Sequence, residues 1–295
     1  MMKKEELQDL QPQIYQRFLQ VLEQGKLNHA YLFSGNFGSL DMSLFLAQSL
    51  FCQESNCVEP CGKCRSCQLI ASEEFSDVKV VRPVNQIIKT ERVRELVKEF
   101  SQSGVEGSKQ VFIIVDSDKM HTNAANSLLK VIEEPQSEVY IFLLTADENL
   151  VLPTIKSRAQ VVSFPKHLDA LTQQLEKAGL VKRQAQVLAQ FAQTLSEAEG
   201  LVSSTSFFEL VQDLERFLKQ ASNKQGLAYL QVAHLARICE DKDKQGQAFR
   251  LLEILLSQDI QLKSNRDLLE KLLRARQMWL VNVSFQNALE YLVLT

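Results

Sequence analysis

The stretch Ala30-Tyr31-Leu32-Phe33-Ser34-Gly35 decides how the fold is interpreted, because a short apolar run ending in Ser-Gly precedes a helical pattern at Ser39–Phe51. Four more runs share its richness in Val, Ile and Phe, and they lie at 78–82, 111–116, 139–145 and 160–164. Such continuity, with little polar alternation, is typical of strands buried on both faces of a parallel sheet. Helical patterns of crossover length separate several runs. Residues 1–165 are therefore predicted to form a doubly wound α/β domain.

The pattern changes after Phe164-Pro165, the last of the six prolines. From there on, only helical segments are predicted, at 168–177, 181–195, 206–220, 226–240, 247–257 and 264–292. We expect a small helical domain at 166–202 and a helical bundle at 203–295, so the fold class is α/β plus all-α. Residues 249–256 are apolar on more than one face, which favours a place in the bundle's own core over one between subunits.

Composition narrows the class of protein. A chain of 295 residues suggests two or three domains, and a net charge of -3 argues against a general attraction to nucleic acid as the main function. The first ten residues lack the apolar core of a secretion signal, and the longest apolar run, 139–144, is too short to cross a bilayer. We therefore expect a soluble cytoplasmic protein with no membrane partner.

Five of the six cysteines lie within residues 52–67, and four of them are spaced Cys52-x8-Cys61-x2-Cys64-x2-Cys67. Two Cys-x2-Cys steps allow the sulfurs to surround one metal ion, and Gly62 permits the tight turn between them. Four sulfurs close a tetrahedron, which predicts a structural Zn²⁺ site without a position for substrate. Cys57 is an alternative to Cys52 as fourth ligand, and disulfides are a less favoured alternative in a reducing cytosol.

Residues 34–43 lie where an α/β nucleotide-binding domain would carry its phosphate loop, Gly-x4-Gly-Lys-Ser/Thr. Gly35 keeps the first glycine of that pattern. Leu40, Asp41 and Met42 replace the second glycine, the lysine and the hydroxyl that binds magnesium. An anion in place of the lysine converts attraction for a triphosphate into repulsion worth several kcal/mol. No ATP is therefore expected in this chain's own site.

The third predicted strand ends in Asp116-Ser117, where an ATPase would have Asp-Glu. Asp116 could still orient a magnesium ion, but the Ser117 hydroxyl cannot polarise an attacking water near pH 7. We therefore expect no catalytic residue acting within the chain. Taken alone, these residues favour a simply buried strand that never belonged to an ATPase site.

Together, the altered loop, the cysteine insertion and three further stretches resemble the AAA+ clamp-loader family of bacterial DNA polymerase III. The stretches are His-Ala-Tyr-Leu-Phe-Ser-Gly at 29–35, Asn-Ser-Leu-Leu-Lys-Val-Ile-Glu-Glu-Pro at 126–135 and Leu-Pro-Thr-Ile-Lys-Ser-Arg at 152–158. These motifs cover the first 165 residues, whereas the helical remainder is similar only in length and type.

The resemblance implies an AAA+ domain with a zinc-binding insertion at 52–67, a small helical lid at 166–202 and a collar at 203–295. The collar would join five subunits in a ring. The partners would be the tau/gamma ATPase and delta subunits, with the sliding clamp and primer-template DNA reached through the complex. The implied zinc ligands are Cys52, Cys61, Cys64 and Cys67. The chain would then serve DNA replication as part of a DNA-directed DNA polymerase holoenzyme, a nucleotidyltransferase complex.

Departures from the motor-subunit pattern at Asp41 and Ser117 favour the non-hydrolysing, delta-prime branch of this family. Ser157-Arg158 matches the family's Ser-Arg-Cys motif, with Ala159 in place of the cysteine. In the family, that arginine projects into the ATP site of the neighbouring subunit, where a guanidinium offsets charge on the γ-phosphate. Without the resemblance, Arg158 would be interpreted as a surface or helix-capping arginine.

Two alternatives stay open. The first is an active ATPase subunit of the tau/gamma type, which ATP binding and turnover would reveal. The second is a zinc-dependent module that binds nucleic acid through the cysteine loop. It is less favoured because Lys63 and Arg65 are offset by Glu54 and Glu59.

Overall fold

The computed structural model describes residues 2–54, 58–100, 109–133, 135, 137–223, 225–258 and 260–294. The chain forms two compact units, Met1–Ala170 and Leu171–Thr295. The further division at residue 202 into a lid and a collar stays a prediction. Among the described residues, none of the helices combines the length and apolar character that crossing a membrane would require.

The first unit is built on five parallel strands. They are β1 (Ala30–Ser34), β2 (Val78–Val81), β3 (Lys109–Ile114), β4 (Glu138–Thr145) and β5 (Gln160–Ser163), in the sheet order β2-β3-β4-β1-β5. The predicted parallel sheet is thus confirmed, with strand ends that shift by one or two residues. The largest shift is in β3, which ends at Ile114 because Asp116 leaves the extended conformation for φ 50°, ψ 52°.

Seven helices accompany the sheet: α1 (Lys4–Leu10), α2 (Pro12–Glu23), α3 (Ser39–Phe51), α4 (Arg65–Ala71), α5 (Thr90–Phe100), α6 (Thr122–Glu133) and α7 (Pro153–Lys156). Both faces of the sheet are buried, which explains the unbroken apolar runs. On one face, the ring of Phe33 packs 5.6 Å from that of Phe18 in α2. Leu32 instead belongs to a buried cluster with Leu96 of α5 and Leu128 of α6.

The second unit is helical. Its elements, counted from the helix that spans the boundary, are α8 (Leu168–Lys177), α9 (Lys182–Phe191), α10 (Leu195–Val202), α11 (Thr205–Asn223), α12 (Gln225–Ile238), α13 (Lys242–Gln258), α14 (Lys263–Leu280) and α15 (Phe285–Leu294). In α13, Phe249 is fully buried, and its ring lies 5.4 Å from those of Trp279 and Phe285. The apolar segment of α13 therefore lies in the core of its own bundle.

Two predicted helices are wrong as single elements. The segment 181–195 is divided between α9 and α10, because the Thr194 side chain caps α10 by accepting a hydrogen bond from the Glu197 N–H at 3.0 Å. The segment 264–292 is divided between α14 and α15 at Asn282, which has a left-handed φ of 70°. Helices α1 and α2 were not predicted from the sequence, and α1 contacts the altered phosphate loop.

Candidate functional site

The four cysteines of the predicted cage meet between α3 and α4. Cys52 is the C-cap of α3, Cys64 is the N-cap of α4, and Cys67 lies in the first turn of α4. Their Sγ atoms and that of Cys61 all lie within 4.8 Å of one another. Sulfurs of a tetrahedral zinc site are separated by about 3.8 Å, since each Zn–S bond is about 2.3 Å long. The four sulfurs thus fit one zinc ion with a small adjustment and leave no open coordination position.

Backbone N–H groups point at the cage sulfurs. The N–H of Cys61 donates to Cys52 Sγ at 3.4 Å, and the N–H of Cys64 donates to Cys61 Sγ at 3.3 Å. Burial raises the pKa of the Cys64 thiol, but hydrogen bonds from the backbone of Gln53 and from Cys67 outweigh it and lower that pKa to about 6. Burial raises the pKa of the Cys67 thiol. Metal ligation requires thiolates, and a bound divalent cation would offset the cost of ionising the buried Cys67 thiol.

Two further cysteines need separate mention. Cys57, the alternative fourth ligand, lies outside the described residues. Cys239 follows α12 in the helical unit, where burial raises the pKa of its thiol to about 11. Such a thiol stays protonated near neutral pH and behaves as a core residue. The cysteines that the structure describes are free thiols rather than disulfides.

The turn after β1 keeps the backbone of a phosphate loop without its side chains. Gly35 has a φ of +114°, and a Cβ at this position would lie 2.0 Å from the carbonyl oxygen of Phe164. Only glycine fits such an approach between neighbouring chain segments. Met42, at the position of the magnesium-binding hydroxyl, is fully buried. The described loop therefore presents Asp41 where a working loop presents lysine.

Asp41 already has a partner in the chain's own N-terminus. The backbone N–H of Met2 donates to Asp41 Oδ1 at 2.6 Å. Leu7 and Leu10 of α1 are both fully buried, and a Cβ on Gly38 would lie 3.2 Å and 3.5 Å from their methyl groups. The N-terminal segment, residues 2–11, therefore packs directly against the altered phosphate loop.

Gln11 is the last residue of this N-terminal segment and anchors it through two side-chain hydrogen bonds. Its side-chain amide donates to the carbonyl oxygen of Phe37 at 2.9 Å and to that of Pro165 at 2.7 Å. Gln11 is only 1 % exposed, so both carbonyl groups are satisfied away from water. These hydrogen bonds join the N-terminal segment to the loop and to the chain that follows β5.

The cysteine cage is connected to the same region by two contacts. The Lys4 ammonium lies 3.0 Å from a carboxylate oxygen of Glu59, within the cysteine insertion. The buried Gln48 side chain of α3 donates to the carbonyl oxygen of Cys67 at 2.7 Å. Helix α3 begins at the altered loop, which the N-terminal segment contacts, and ends at Cys52. The cage therefore holds the C-terminal end of α3.

The end of β3 carries Asp116, Ser117 and Asp118. Asp116 is partly buried, and burial followed by the neighbouring Asp118 raises the pKa of its carboxyl group. Ser117 is 2 % exposed. Asp118 Oδ1 accepts a hydrogen bond from Thr145 Oγ1 at 3.0 Å, across the ends of β3 and β4. The assignment of Asp116 and Ser117 to an altered ATPase site stays a prediction.

Arg158 follows α7 on the surface of the α/β unit. Its backbone N–H donates to the carbonyl oxygen of Ile155 at 3.0 Å, which anchors it to a fully buried residue. The guanidinium donates from Nε to Glu133 Oε1 and from Nη1 to the Thr154 carbonyl oxygen at 3.0 Å. The Arg158 side chain is 37 % exposed. It is therefore a surface arginine that is oriented and still accessible to another molecule.

The structure does not bring the predicted site residues into a single centre. The cysteine cage, the altered loop and Arg158 are separate features of one α/β unit. Sequence reasoning missed the N-terminal segment and Glu133 as the carboxylate that holds Arg158. Leu7 and Leu10, spaced three residues apart before Pro12, were a signal for a buried helix face ending at a proline.

Comparison with known proteins gives consistent results. The model of the family described as "DNA polymerase III, delta subunit" matches residues 10–168. DNA polymerase III subunit delta' of Bacillus subtilis is 37% identical over 207 residues, which are 69% of this chain and 63% of the relative. Subunit delta' of Pseudomonas aeruginosa is 34% identical over 141 residues, 46% of this chain and 43% of the relative. The chain thus aligns with less than two thirds of either relative's length.

A gamma/tau subunit and one solved structure are also similar. DNA polymerase III subunit gamma/tau of Mycobacterium tuberculosis is 33% identical over 168 residues, 54% of this chain and 29% of the relative. A crystal structure of a DNA polymerase III gamma subunit-related protein from Thermotoga maritima aligns with a TM-score of 0.53 at 16% identity. That alignment covers 95% of this chain and 97% of the other, and it supports the AAA+-type fold.

Proposed function

This chain belongs to the DNA polymerase III delta subunit family, and from that premise we propose that it is a non-hydrolysing, delta-prime-type subunit of a clamp loader. In this role it would help to place the sliding clamp on primed DNA during replication. It would bind no ATP itself and would act on the ATP held by a neighbouring subunit. The delta' relatives support this proposal, and the altered phosphate-loop sequence favours it over an active ATPase subunit.

The observation that carries the non-hydrolysing role is the environment of Asp41. In a phosphate loop, a lysine at this position reaches the β- and γ-phosphates. Here a carboxylate occupies the position and accepts a hydrogen bond from the Met2 N–H at 2.6 Å. A bound triphosphate would therefore face charge repulsion from Asp41, which opposes nucleotide binding.

ATP binding by the purified chain tests this point. We expect no binding of a fluorescent ATP analogue with magnesium at concentrations that saturate a tau/gamma subunit measured in parallel. The expected affinity is at least about 1000-fold weaker, because about 4 kcal/mol of charge interaction changes sign or is lost. Saturable binding with turnover would favour the alternative of an active tau/gamma-type ATPase subunit, for which the gamma/tau relatives give some support.

Arg158 is the residue that we propose to act in catalysis. It would serve as an arginine finger, projecting into the ATP site of the adjacent subunit. A planar guanidinium can donate two parallel hydrogen bonds to γ-phosphate oxygens and offset the charge that spreads over them during transfer. Its exposure and its fixed backbone support this role. The chain would therefore be no enzyme on its own but part of a polymerase holoenzyme that hydrolyses ATP.

The proposed partners are the tau/gamma ATPase and delta subunits in a ring of five. Residues 203–295 would form the collar that joins the ring, and residues 166–202 would form the lid beside the α/β domain. The sliding clamp and primer-template DNA would be reached through the complex. A structural Zn²⁺ held by Cys52, Cys61, Cys64 and Cys67 completes the proposal. Zinc would fix the cysteine insertion and take no part in hydrolysis.

A further inference from the structure

Glu133 is the carboxylate that holds the guanidinium of Arg158. It is the last residue of α6, and its Oε1 accepts the hydrogen bond from Arg158 Nε. Arg158 Nη1 donates to the carbonyl oxygen of Thr154 at 3.0 Å and to Ser157 Oγ at 3.2 Å. Among the described residues, no contact uses Nη2. As far as the described residues show, the guanidinium is thus held through Nε and Nη1 and leaves Nη2 for a ligand.

The position of Glu133 is unfavourable for the helix that carries it. The C-terminal end of a helix carries partial negative charge, so a carboxylate there costs about 0.3–1 kcal/mol. The Glu133 and Arg158 side chains are 48 % and 37 % exposed, and such a surface ion pair contributes about 0–1 kcal/mol to stability. Helix stability therefore gives no reason for an acidic residue at this position.

The Arg158 side chain is anchored at both ends. At the tip, its partner Glu133 follows Ile132, whose carbonyl oxygen is hydrogen-bonded to the His29 ring Nε2 at 2.6 Å, so the backbone that carries Glu133 is held in place. At the backbone, Arg158 is bonded to Ile155, which is fully buried. A long, flexible side chain is thereby restricted before any neighbour binds, which lowers the entropy lost when it reaches a phosphate.

We propose that Glu133 is a positioning residue, which fixes the Arg158 guanidinium through Nε so that Nη2 is presented to the γ-phosphate of the adjacent subunit's ATP. This inference rests on the proposed finger role of Arg158. Glu133 itself contacts no phosphate, because two anions in contact would repel each other. Its effect passes entirely through the orientation of Arg158.

Four variants of this chain test the proposal in the reconstituted clamp loader: Glu133→Ala, Glu133→Gln, Arg158→Ala and the double variant Glu133→Ala/Arg158→Ala. The measurement is the rate of clamp loading on primed DNA as a function of ATP concentration. Glu148→Ala is the matched control, since Glu148 pairs with Lys156 of α7 at 2.5 Å but does not contact Arg158. Thermal unfolding of each variant verifies that the chain stays folded.

We expect Glu133→Ala to lower the ATP-saturated rate about 10-fold, since misplacing a catalytic group by about 1 Å can cost up to about 100-fold. The KM for ATP should change less than about twofold, because the finger acts mainly in the transition state. Glu133→Gln keeps an acceptor oxygen and should retain at least about half of the rate. Glu148→Ala should behave like the unmodified chain.

The double variant separates positioning from a structural role. If Glu133 acts only through Arg158, the double variant will be no slower than Arg158→Ala alone. An unchanged or faster rate in Glu133→Ala, or a further loss in the double variant, would overturn the positioning role and leave the finger role intact. Unchanged loading in Arg158→Ala would overturn both, so failure of the inference and failure of the proposed function are distinguishable.

Discussion

Replacing Arg158 by alanine will slow ATP-dependent clamp loading by a complex containing this chain on the order of 100-fold. Arginine fingers accelerate hydrolysis by about 10³- to 10⁵-fold, and the loss in loading is smaller than that because steps other than hydrolysis limit the normal loading rate. The variant should assemble as well as the original chain, since Arg158 is exposed and its ion pair with Glu133 contributes little to stability. The loading rate at saturating ATP, measured with fluorescent clamp and primed DNA, gives the result.

Two further substitutions sharpen this test. Arg158→Lys keeps the positive charge but loses the planar fork, so we expect it to recover only a small part of the rate. Lys156→Ala is the matched control, because it removes a neighbouring cation whose partner is Glu148. Loading at the normal rate by Arg158→Ala, or an equal loss in Lys156→Ala, would contradict the assignment of the finger.

Replacing Cys61 by serine will abolish metal binding and destabilise the α/β unit. The unmodified chain should purify with one zinc ion, and the variant with none, because three sulfurs and a weak hydroxyl no longer close the tetrahedron. A ligand held at 1000 times its Kd contributes about 4 kcal/mol, so the loss in free energy of unfolding should be of that order. Elemental analysis and thermal unfolding, with and without a chelator, measure the two effects.

The choice of cysteine provides the controls. Cys239→Ser should keep its zinc, because Cys239 lies in the helical unit and is no part of the cage. Cys52→Ser should lose zinc and Cys57→Ser should keep it, which tests the alternative assignment of the fourth ligand. A chelator should lower the melting temperature of the unmodified chain and leave that of Cys61→Ser unchanged. Retention of one zinc ion by Cys61→Ser would refute the four-cysteine cage.

The sheet could be predicted from the sequence because burial on both faces leaves a direct record in unbroken apolar runs such as 139–145. Helix ends were harder. The break between α14 and α15 occurs at Asn282, where no glycine or proline marks it, and asparagine is a weaker signal for the left-handed turn that ends a helix. The break before α10 had a recognisable sequence, since Thr194-Leu195-Ser196-Glu197 matches the capping-box pattern. The structure departs from that motif in one bond, because Glu197 accepts from the Gln193 N–H at 2.6 Å rather than from that of Thr194.

The candidate sites also differ in how far they can be predicted from the sequence. The cysteine cage follows from spacing alone, because its ligands are close in sequence and metal geometry limits the options. The altered loop could be identified by aligning residues 34–43 with a known pattern. The carboxylate that orients Arg158 lies 25 residues away, and the N-terminal segment contacts Asp41 across 39 residues. Such contacts depend on how the elements pack, which periodicity does not encode.

Reconstitution tests the central claim most directly. The chain would be mixed with the delta and tau/gamma subunits of the same organism, and complex formation, ATP hydrolysis and clamp loading would be measured with and without it. The account predicts that the chain enters the complex, hydrolyses no ATP alone, and is required for loading on primed DNA. A chain that stays outside the complex, or a complex that loads clamps at the full rate without it, would contradict the account.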